Sequence, residues 1–246
     1  MPSQTLVPIT TITFPEIALR TRDAHKLRGY FGGLFKAHSP LLHNHLSADE
    51  VGSEGDAGGG VKFRYAYPLV QYKVLQTVPT LVGLGEGAGL LAQLFLQMRE
   101  LTIDHDGDTA TRQAYTFPIL SKHIRHEQAT VGMSDDLIEY RFETLWMALN
   151  QTNYRDYRQY SEAEQQAQLK RVLTSQLLAL FREFGLRLEP HERIMVRLNV
   201  QERTTQFKNQ TMVAFAGSFL TNVVLPNGIG LGKAVSRGFG TIISQQ

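Results

Sequence analysis

Gly228-Ile-Gly-Leu-Gly-Lys-Ala-Val-Ser-Arg-Gly-Phe-Gly240 sets five glycines, Lys233, Ser236 and Arg237 within thirteen residues. Its reading decides the fold class. A phosphate-gripping loop of the Walker A or dinucleotide type would place the chain among parallel α/β proteins. Neither spacing is met. Asn227 stands where the first Walker glycine belongs and Ala234 where its Ser/Thr belongs, and Lys233 replaces the third glycine of G-x-G-x-x-G. What remains is a loop whose glycines permit positive φ and close approach, so that backbone N–H groups could converge on an oxyanion beside a lysine and an arginine. A tight turn between two strands is the competing reading. The two cations favour a polyanion.

Composition agrees with a folded, soluble chain. The 246 residues are 42% hydrophobic, enough for a substantial core in one or two domains. There is no cysteine, which excludes disulfides and thiolate metal sites, and His105, His123, His126 and His191 show no metal-ligand spacing, so no metal or other cofactor is expected. No apolar run approaches the roughly 20 residues of a membrane span, and the first residues lack the basic-then-apolar pattern of a signal peptide, which together fit a cytoplasmic protein. The net charge of +2 is small but segregated. Residues 187–246 carry seven Lys/Arg against three Glu, whereas 135–170 carry seven acids against four bases. Basic charge gathers around the glycine loop.

Outward from that loop, Met212–Val224 reads as a long strand ended by Pro226, and Thr241–Ile243 as a short last one. Ile194, Val196, Leu198 and Val200 alternate with polar residues as another strand. Ser161-x-x-Glu164 is a capping box opening a long helix through Leu169, Val172, Leu173, Leu177 and Phe181, closed by Gly185. Ile138, Tyr140 and Phe142 alternate as the strand before it. Tyr154, Tyr157 and Tyr160 lie between; they suit core packing better than base stacking. Arg193, Arg197, Arg203 and Lys208 either track phosphates or form a solvated strand face.

The first half has the same order. Residues 6–14 form a β-branched strand, and Asp23 caps a helix through Leu27, Phe31, Leu34 and Phe35 whose other face holds Lys26, Arg28 and Lys36. Gly29, Gly32 and Gly33 in that helix suggest a close approach to its backbone. His43 and His45 share a face if extended, and the acidic, glycine-rich Asp49–Gly60 reads as a mobile loop. Residues 63–75 are strand-like. Gly83-x-Gly85-x-x-Ala88 opens a helix with Asp104 about 20 residues on, a near-dinucleotide fingerprint rejected because no series of βα units surrounds it. Strands near 99–104 and 111–120 follow. The whole is an α+β chain of two tandem ferredoxin-like (RRM-like) domains, residues 1–133 and 134–246.

Several stretches together resemble the CRISPR-associated repeat endoribonucleases, the Cas6 family, subgroup b. They are the glycine loop, Leu27-Arg-Gly-Tyr-Phe-Gly-Gly-Leu-Phe-Lys36, Pro40-Leu-Leu-His-Asn-His45, Tyr67-Pro-Leu-Val-Gln-Tyr-Lys73 and Ala148-Leu-Asn-Gln-Thr-Asn-Tyr154. The resemblance implies tandem ferredoxin-like domains, in agreement with the pattern above, and binding and single cleavage of each CRISPR repeat. It implies precursor RNA as partner, and extends to a CRISPR effector complex and a homodimer.

RNA carries its own nucleophile, the 2′-hydroxyl, so such an enzyme need only accept that proton and give one to the departing 5′-oxygen. The resemblance places these roles on His43 and His45, with Tyr30 positioning the reacting groups. Lys36 is the cation nearest the histidines along the helix face, with Lys62 and Lys73 as substitutes. The loop residues Gly228, Gly230, Gly232, Lys233, Ser236, Arg237 and Gly238 would bind RNA. His-Asn-His is not the HNH metal-nuclease motif, whose residues are spread along a ββα fold. A subunit that binds the mature guide without cutting is the alternative.

Overall fold

The computed structural model describes residues 2–34, 67–104, 114–207 and 210–245. Strand β1 (Gln4–Thr13) leads through a 3-10 turn at Thr21–Asp23 into helix α1 (Ala24–Leu34). Asp23 sits immediately before the helix, where its carboxylate meets Lys26 one turn on at 3.1 Å. Leu27 and Phe31 face inward, and Phe31 stacks on Phe14 and Tyr72 at 5.7 and 6.5 Å between ring centres. Two of the helix glycines do not bring a neighbour close, since a Cβ on Gly29 or Gly33 would meet nothing within 4 Å, whereas Gly32 is buried.

The hairpin β2 (Val70–Leu75) and β3 (Val78–Leu84) then leads into α2 (Glu86–Leu94). The glycines around Gly83 serve packing. A Cβ on Gly83 would strike the Gly87 carbonyl, and one on Gly87 the Leu69 carbonyl, so α2 starts with its backbone against the two strands. Thr10 Oγ1 donates to the Ala88 carbonyl at 2.9 Å, tying the same turn to β1. Asp104 lies apart, on the small hairpin β4 (Glu100–Asp104) and β5 (Ala114–Pro118).

β6 (His123–Phe142) is a 20-residue strand that organises the molecule. The main sheet has the order β2-β3-β1-β6-β8-β7, with β9 (Ile242–Ser244) also paired to β6. Its first half reads β1-α1-β2-β3-α2-β6 in chain order and β2-β3-β1-β6 in space, all antiparallel, which is the ferredoxin-like arrangement. The second half repeats it. From β6 the chain passes through α3 (Gln151–Tyr157) and α4 (Glu162–Glu183) to β7 (Val196–Phe207), β8 (Gln210–Val224) and β9, with spatial order β7-β8-β6-β9. The glycine loop occupies the place of this unit's second helix. β6 is therefore the last strand of one unit and the first of the next, with its register shifting between Met133 and Ile138.

α4 follows the expected cap, Ser161 N donating to Glu164 Oε2 at 2.9 Å, and ends at Gly185 with φ +67°. It lays Leu169, Leu173, Leu177, Leu180 and Phe181 in one core with Trp146, with Phe142 of β6 and with Phe215 and Phe219 of β8. Each fully buried side chain of this size contributes about 1.5–3 kcal/mol. Tyr157 belongs to that core, edge-on to Phe215, rather than to a base-stacking surface.

Candidate nucleic-acid interface

The glycine loop leaves β8 at Leu225 and returns as β9. Gly228, at φ +84°, donates its N–H to the Ile242 carbonyl, Ile242 N to Ile229, and Leu231 N to Gly240, so the base of the loop is a ladder with a bridge between Gly230 and Thr241. Its apolar residues are buried one at a time: Ile229, Leu231 and Val235. The tip folds into a 3-10 turn, Val235–Arg237, flanked by positive φ at Ala234 (+55°) and Gly238 (+89°).

Both halves of the molecule hold this loop. From the second half, Trp146 packs against Gly232, where a Cβ would lie 2.8 Å from the indole, Met147 accepts from Lys233 N at 2.9 Å, and Thr144 Oγ1 donates to the Gly238 carbonyl at 2.7 Å. From the first half, Gln71 Oε1 accepts from Gly230 N at 3.0 Å, Tyr67 donates its hydroxyl proton to the Gly230 carbonyl at 2.8 Å, and Lys73 Nζ donates to Thr241 Oγ1 at 2.9 Å. A Cβ on Gly238 would meet Ala24 of α1 at 2.8 Å. Strand β2 is thereby covered on both faces, and Gln71 and Lys73 are fully buried although they alternate like solvent-facing residues. Burial without a carboxylate partner pushes the Lys73 amine down to about 7.

This bonding corrects the expectation drawn from the glycines. The N–H groups of Gly228, Gly230, Gly238 and Gly240 donate within the protein, to Ile242, Gln71, Val235 and Leu145, and so are not anion donors. The glycines are needed for positive φ and for contact: a Cβ on Gly240, at φ +66°, would run into the Leu231 carbonyl. Charge is presented by side chains. Lys233 is exposed, and Ser236 and Arg237 are half-buried. Sequence reading did not single out Arg28 for this site, yet α1 packs on the 3-10 turn and aims it there. Burial, followed by the positive charge of Arg28, lowers the proton affinity of Arg237, and burial lowers that of Arg28. The two guanidiniums, 209 positions apart in the chain, are both half-buried near the seam between the halves, close enough for the charge of one to act on the other. The basic face of α1 was the signal that could have found it.

Of the other predicted site residues, Tyr30 lies on the far side of α1 from this seam. Its hydroxyl donates to the Glu100 carbonyl at 3.0 Å, and burial raises its pKa, with Glu100 adding to the effect. Residues two apart on a helix do not share a face, so Arg28 and Tyr30 point to different neighbours. His43, His45, Lys36 and Lys62 lie outside the described residues, as does Lys208. Arg193, Arg197 and Arg203 are exposed along or beside β7, where Arg193 is held by the Pro190 and Glu192 carbonyls and Arg203 by Gln201. Among the described residues no group of three His, Asp or Glu side chains is arranged to hold a metal ion, and no helix is long and apolar enough to cross a membrane.

Two tandem ferredoxin-like units that share a strand and clamp a basic glycine loop define the class of fold. Comparison with known proteins gives the family. Residues 5–118 match the model of the Cas6b N-terminal domain and residues 132–245 that of the Cas6b C-terminal domain. A solved structure described as Cas6b is 32% identical, superposes with a TM-score of 0.83, and is matched over 98% of this chain and 100% of its own. Another, described as a CRISPR RNA processing endoribonuclease Cas6b, is 28% identical with a TM-score of 0.72 over the same shares. An uncharacterised protein of Methanocaldococcus jannaschii is 24% identical over 153 residues, 62% of this chain and 97% of its own length. The chain belongs to the Cas6 family, in the Cas6b subgroup.

Proposed function

We propose that this protein is a site-specific endoribonuclease that cuts CRISPR precursor RNA once within each repeat. The observation that carries the reading is the full-length likeness to a Cas6b described as a CRISPR RNA processing endoribonuclease. The 2′-hydroxyl of the nucleotide on the 5′ side of the cut attacks the adjacent phosphorus, and the bond to the departing 5′-oxygen breaks. A 2′,3′-cyclic phosphate and a 5′-hydroxyl result, without a metal. His43 and His45 take the proton from the nucleophile and give one to the leaving oxygen, and a cation, Lys36, offsets charge growing on the phosphorane. Tyr30 positions the reacting groups. The glycine loop, with Gly228, Gly230, Gly232, Ser236 and Gly238 shaping and Lys233 and Arg237 charging its surface, holds the repeat. The two units divide the work at residues 133 and 134, the histidines lying in the first and the loop in the second. The reading places the protein in the cytoplasm, as a homodimer with a CRISPR effector complex as partner.

One assay tests the chemistry. Repeat RNA incubated with the pure protein in EDTA should be cut once and end in a cyclic phosphate. A single deoxynucleotide on the 5′ side of the cut should stop the reaction while leaving binding nearly intact. His43→Ala and His45→Ala should each slow it by about 10²-fold or more. Cleavage of the deoxy substrate, or an absolute need for Mg²⁺, would overturn the mechanism; tight binding with no cleavage would favour the guide-holding subunit.

A further inference from the structure

β6 is paired on both sides over only part of its length. One side carries β1 from His123 to Gly132 and then β9 from Tyr140 to Phe142. The other side carries β8 at Gly132–Met133 and at Ile138–Arg141. Among the described residues no strand pairs this second side over the nine residues His123–Val131. The side chains of residues 123–128 are exposed on both faces of the strand, and among the described residues neither a helix nor a loop hides the edge. Neither a proline nor a register shift interrupts residues 123–131, so the device left to govern what pairs with this edge is its charge, Arg125 and Glu127. Beside it, Lys122 Nζ donates to the Phe95 and Met98 carbonyls at 2.6 and 2.7 Å. Leu96 and Leu120, on the two segments that Lys122 ties together, are 75% and 80% exposed. With Ile124 they add apolar surface to an open row of backbone donors and acceptors.

The charges on the edge indicate what closes it. Two identical antiparallel strands related by a two-fold axis place one residue opposite itself, and its neighbours on either side opposite each other. An axis at Arg125 would set two arginines face to face, and one at Glu127 two glutamates. An axis at His126 sets Arg125 opposite Glu127 of the second copy, twice over. Within one chain these side chains already share a face, with Arg125 Nη2 2.9 Å from Glu127 Oε1. His126 points to the other face, its Nδ1 2.8 Å from Thr10 Oγ1. We propose that the open edge of β6 is the interface of a homodimer, β6 pairing antiparallel with β6 of a second copy about an axis at His126, with Arg125 and Glu127 selecting the register. This gives the homodimer named above a surface and a geometry. It is independent of the cleavage chemistry, since none of these residues belongs to the RNA site.

The test is the mass of the full-length protein in solution without RNA, by sedimentation or light scattering across the micromolar range. The native chain should approach twice 27.7 kDa. Arg125→Glu alone and Glu127→Arg alone each put two like-charged pairs across the axis and should weaken the dimer about tenfold or more. Mixing those two single variants in equal amounts should restore it, because every pair across the seam is then of opposite charge. The double swap Arg125→Glu with Glu127→Arg should restore it as well. Because Arg125 and Glu127 are both exposed on the single chain, melting temperatures should stay near the native value, which separates lost pairing from lost folding. A native protein that is monomeric throughout, a dimer indifferent to both single swaps, or a mixture that fails to recover the dimer would each overturn the proposal. RNA cleavage measured on the same samples reports the nuclease reading separately.

Discussion

The two glycine-rich segments, 83–89 and 228–240, occupy the same slot: each follows the third strand of its ferredoxin-like unit. In the first, four glycines let a helix start directly against β2 and β3, and Leu91 and Leu94 of α2 fill the core. In the second the apolar residues Ile229, Leu231 and Val235 are buried singly, no helix forms beyond a 3-10 turn, and the loop spans the seam between the units. The first segment carries one charge, Glu86, whereas the second carries Lys233 and Arg237. In both cases glycines serve close packing, against backbone at Gly83, Gly87 and Gly240 and against side chains at Gly232 and Gly238. Glycine spacing therefore says little about ligands here, and what distinguishes the segments is the charge mounted on them.

That comparison is open to direct attack. Gly240→Ala and Gly87→Ala both force a Cβ into a carbonyl, and each should destabilise the fold by about 3 kcal/mol or more in denaturant titrations. Only Gly240→Ala should also weaken repeat RNA binding per folded molecule; equal losses from both would erase the distinction. A smaller effect is expected from Lys233→Ala combined with Arg237→Ala, about 1–2 kcal/mol in RNA affinity. Its more telling readout is the plot of log affinity against log salt, whose slope should fall by about one or two. An unchanged slope would remove the loop from the RNA site. The smallest effect concerns Lys73. Its folded value of about 7 lies below the 10.5 of the free amine, so between those pH values the unfolded chain binds more protons than the folded one. This group makes the fold more stable as pH rises from about 7 to about 10.5, and below about 7 its cost is constant. Lys73→Met should flatten that pH dependence and leave the protein about 1 kcal/mol more stable at pH 7, despite losing the Thr241 hydrogen bond. A slope that persists in Lys73→Met would place the source elsewhere.

Much of this architecture was legible because its signals are local. α4 announces itself through Ser161, Glu164 and a leucine stripe, and β8 by its length and Pro226. The sequence pattern of β6 is legible only from Ile138 onward. Alternation marks a strand when one face is buried and the other is wet. Residues 123–128 are exposed on both faces, and Gly132, Asp135 and Asp136 look like a turn. β3 was likewise obscured by the glycines that follow it. At the site, Gln71 and Lys73 alternate with Val70, Tyr72 and Val74 as a half-solvated strand would, but the loop that buries them arrives from about 160 residues further along the chain. The same distance hid the convergence of Arg28 and Arg237. The histidines, Lys36 and the Asp49–Gly60 segment lie outside the described residues, so their roles rest on sequence.

The single strand shared by the two units has a consequence for positional tolerance. Twenty residues of β-strand span about 66 Å, and at the join, where residues 134–137 of β6 pair with no described strand, the loop ties the units a second time through Gln71, Lys73 and Met147. Proton transfer and in-line attack fall off steeply when reacting groups drift by about 1 Å. If the loop grips the repeat while the first unit cuts it, the distance between grip and cut is ruled by a shared strand and a loop clamped across the seam rather than by a free hinge. The protein then measures its substrate from a fixed datum, and the place of the cut is built into the length of the ruler.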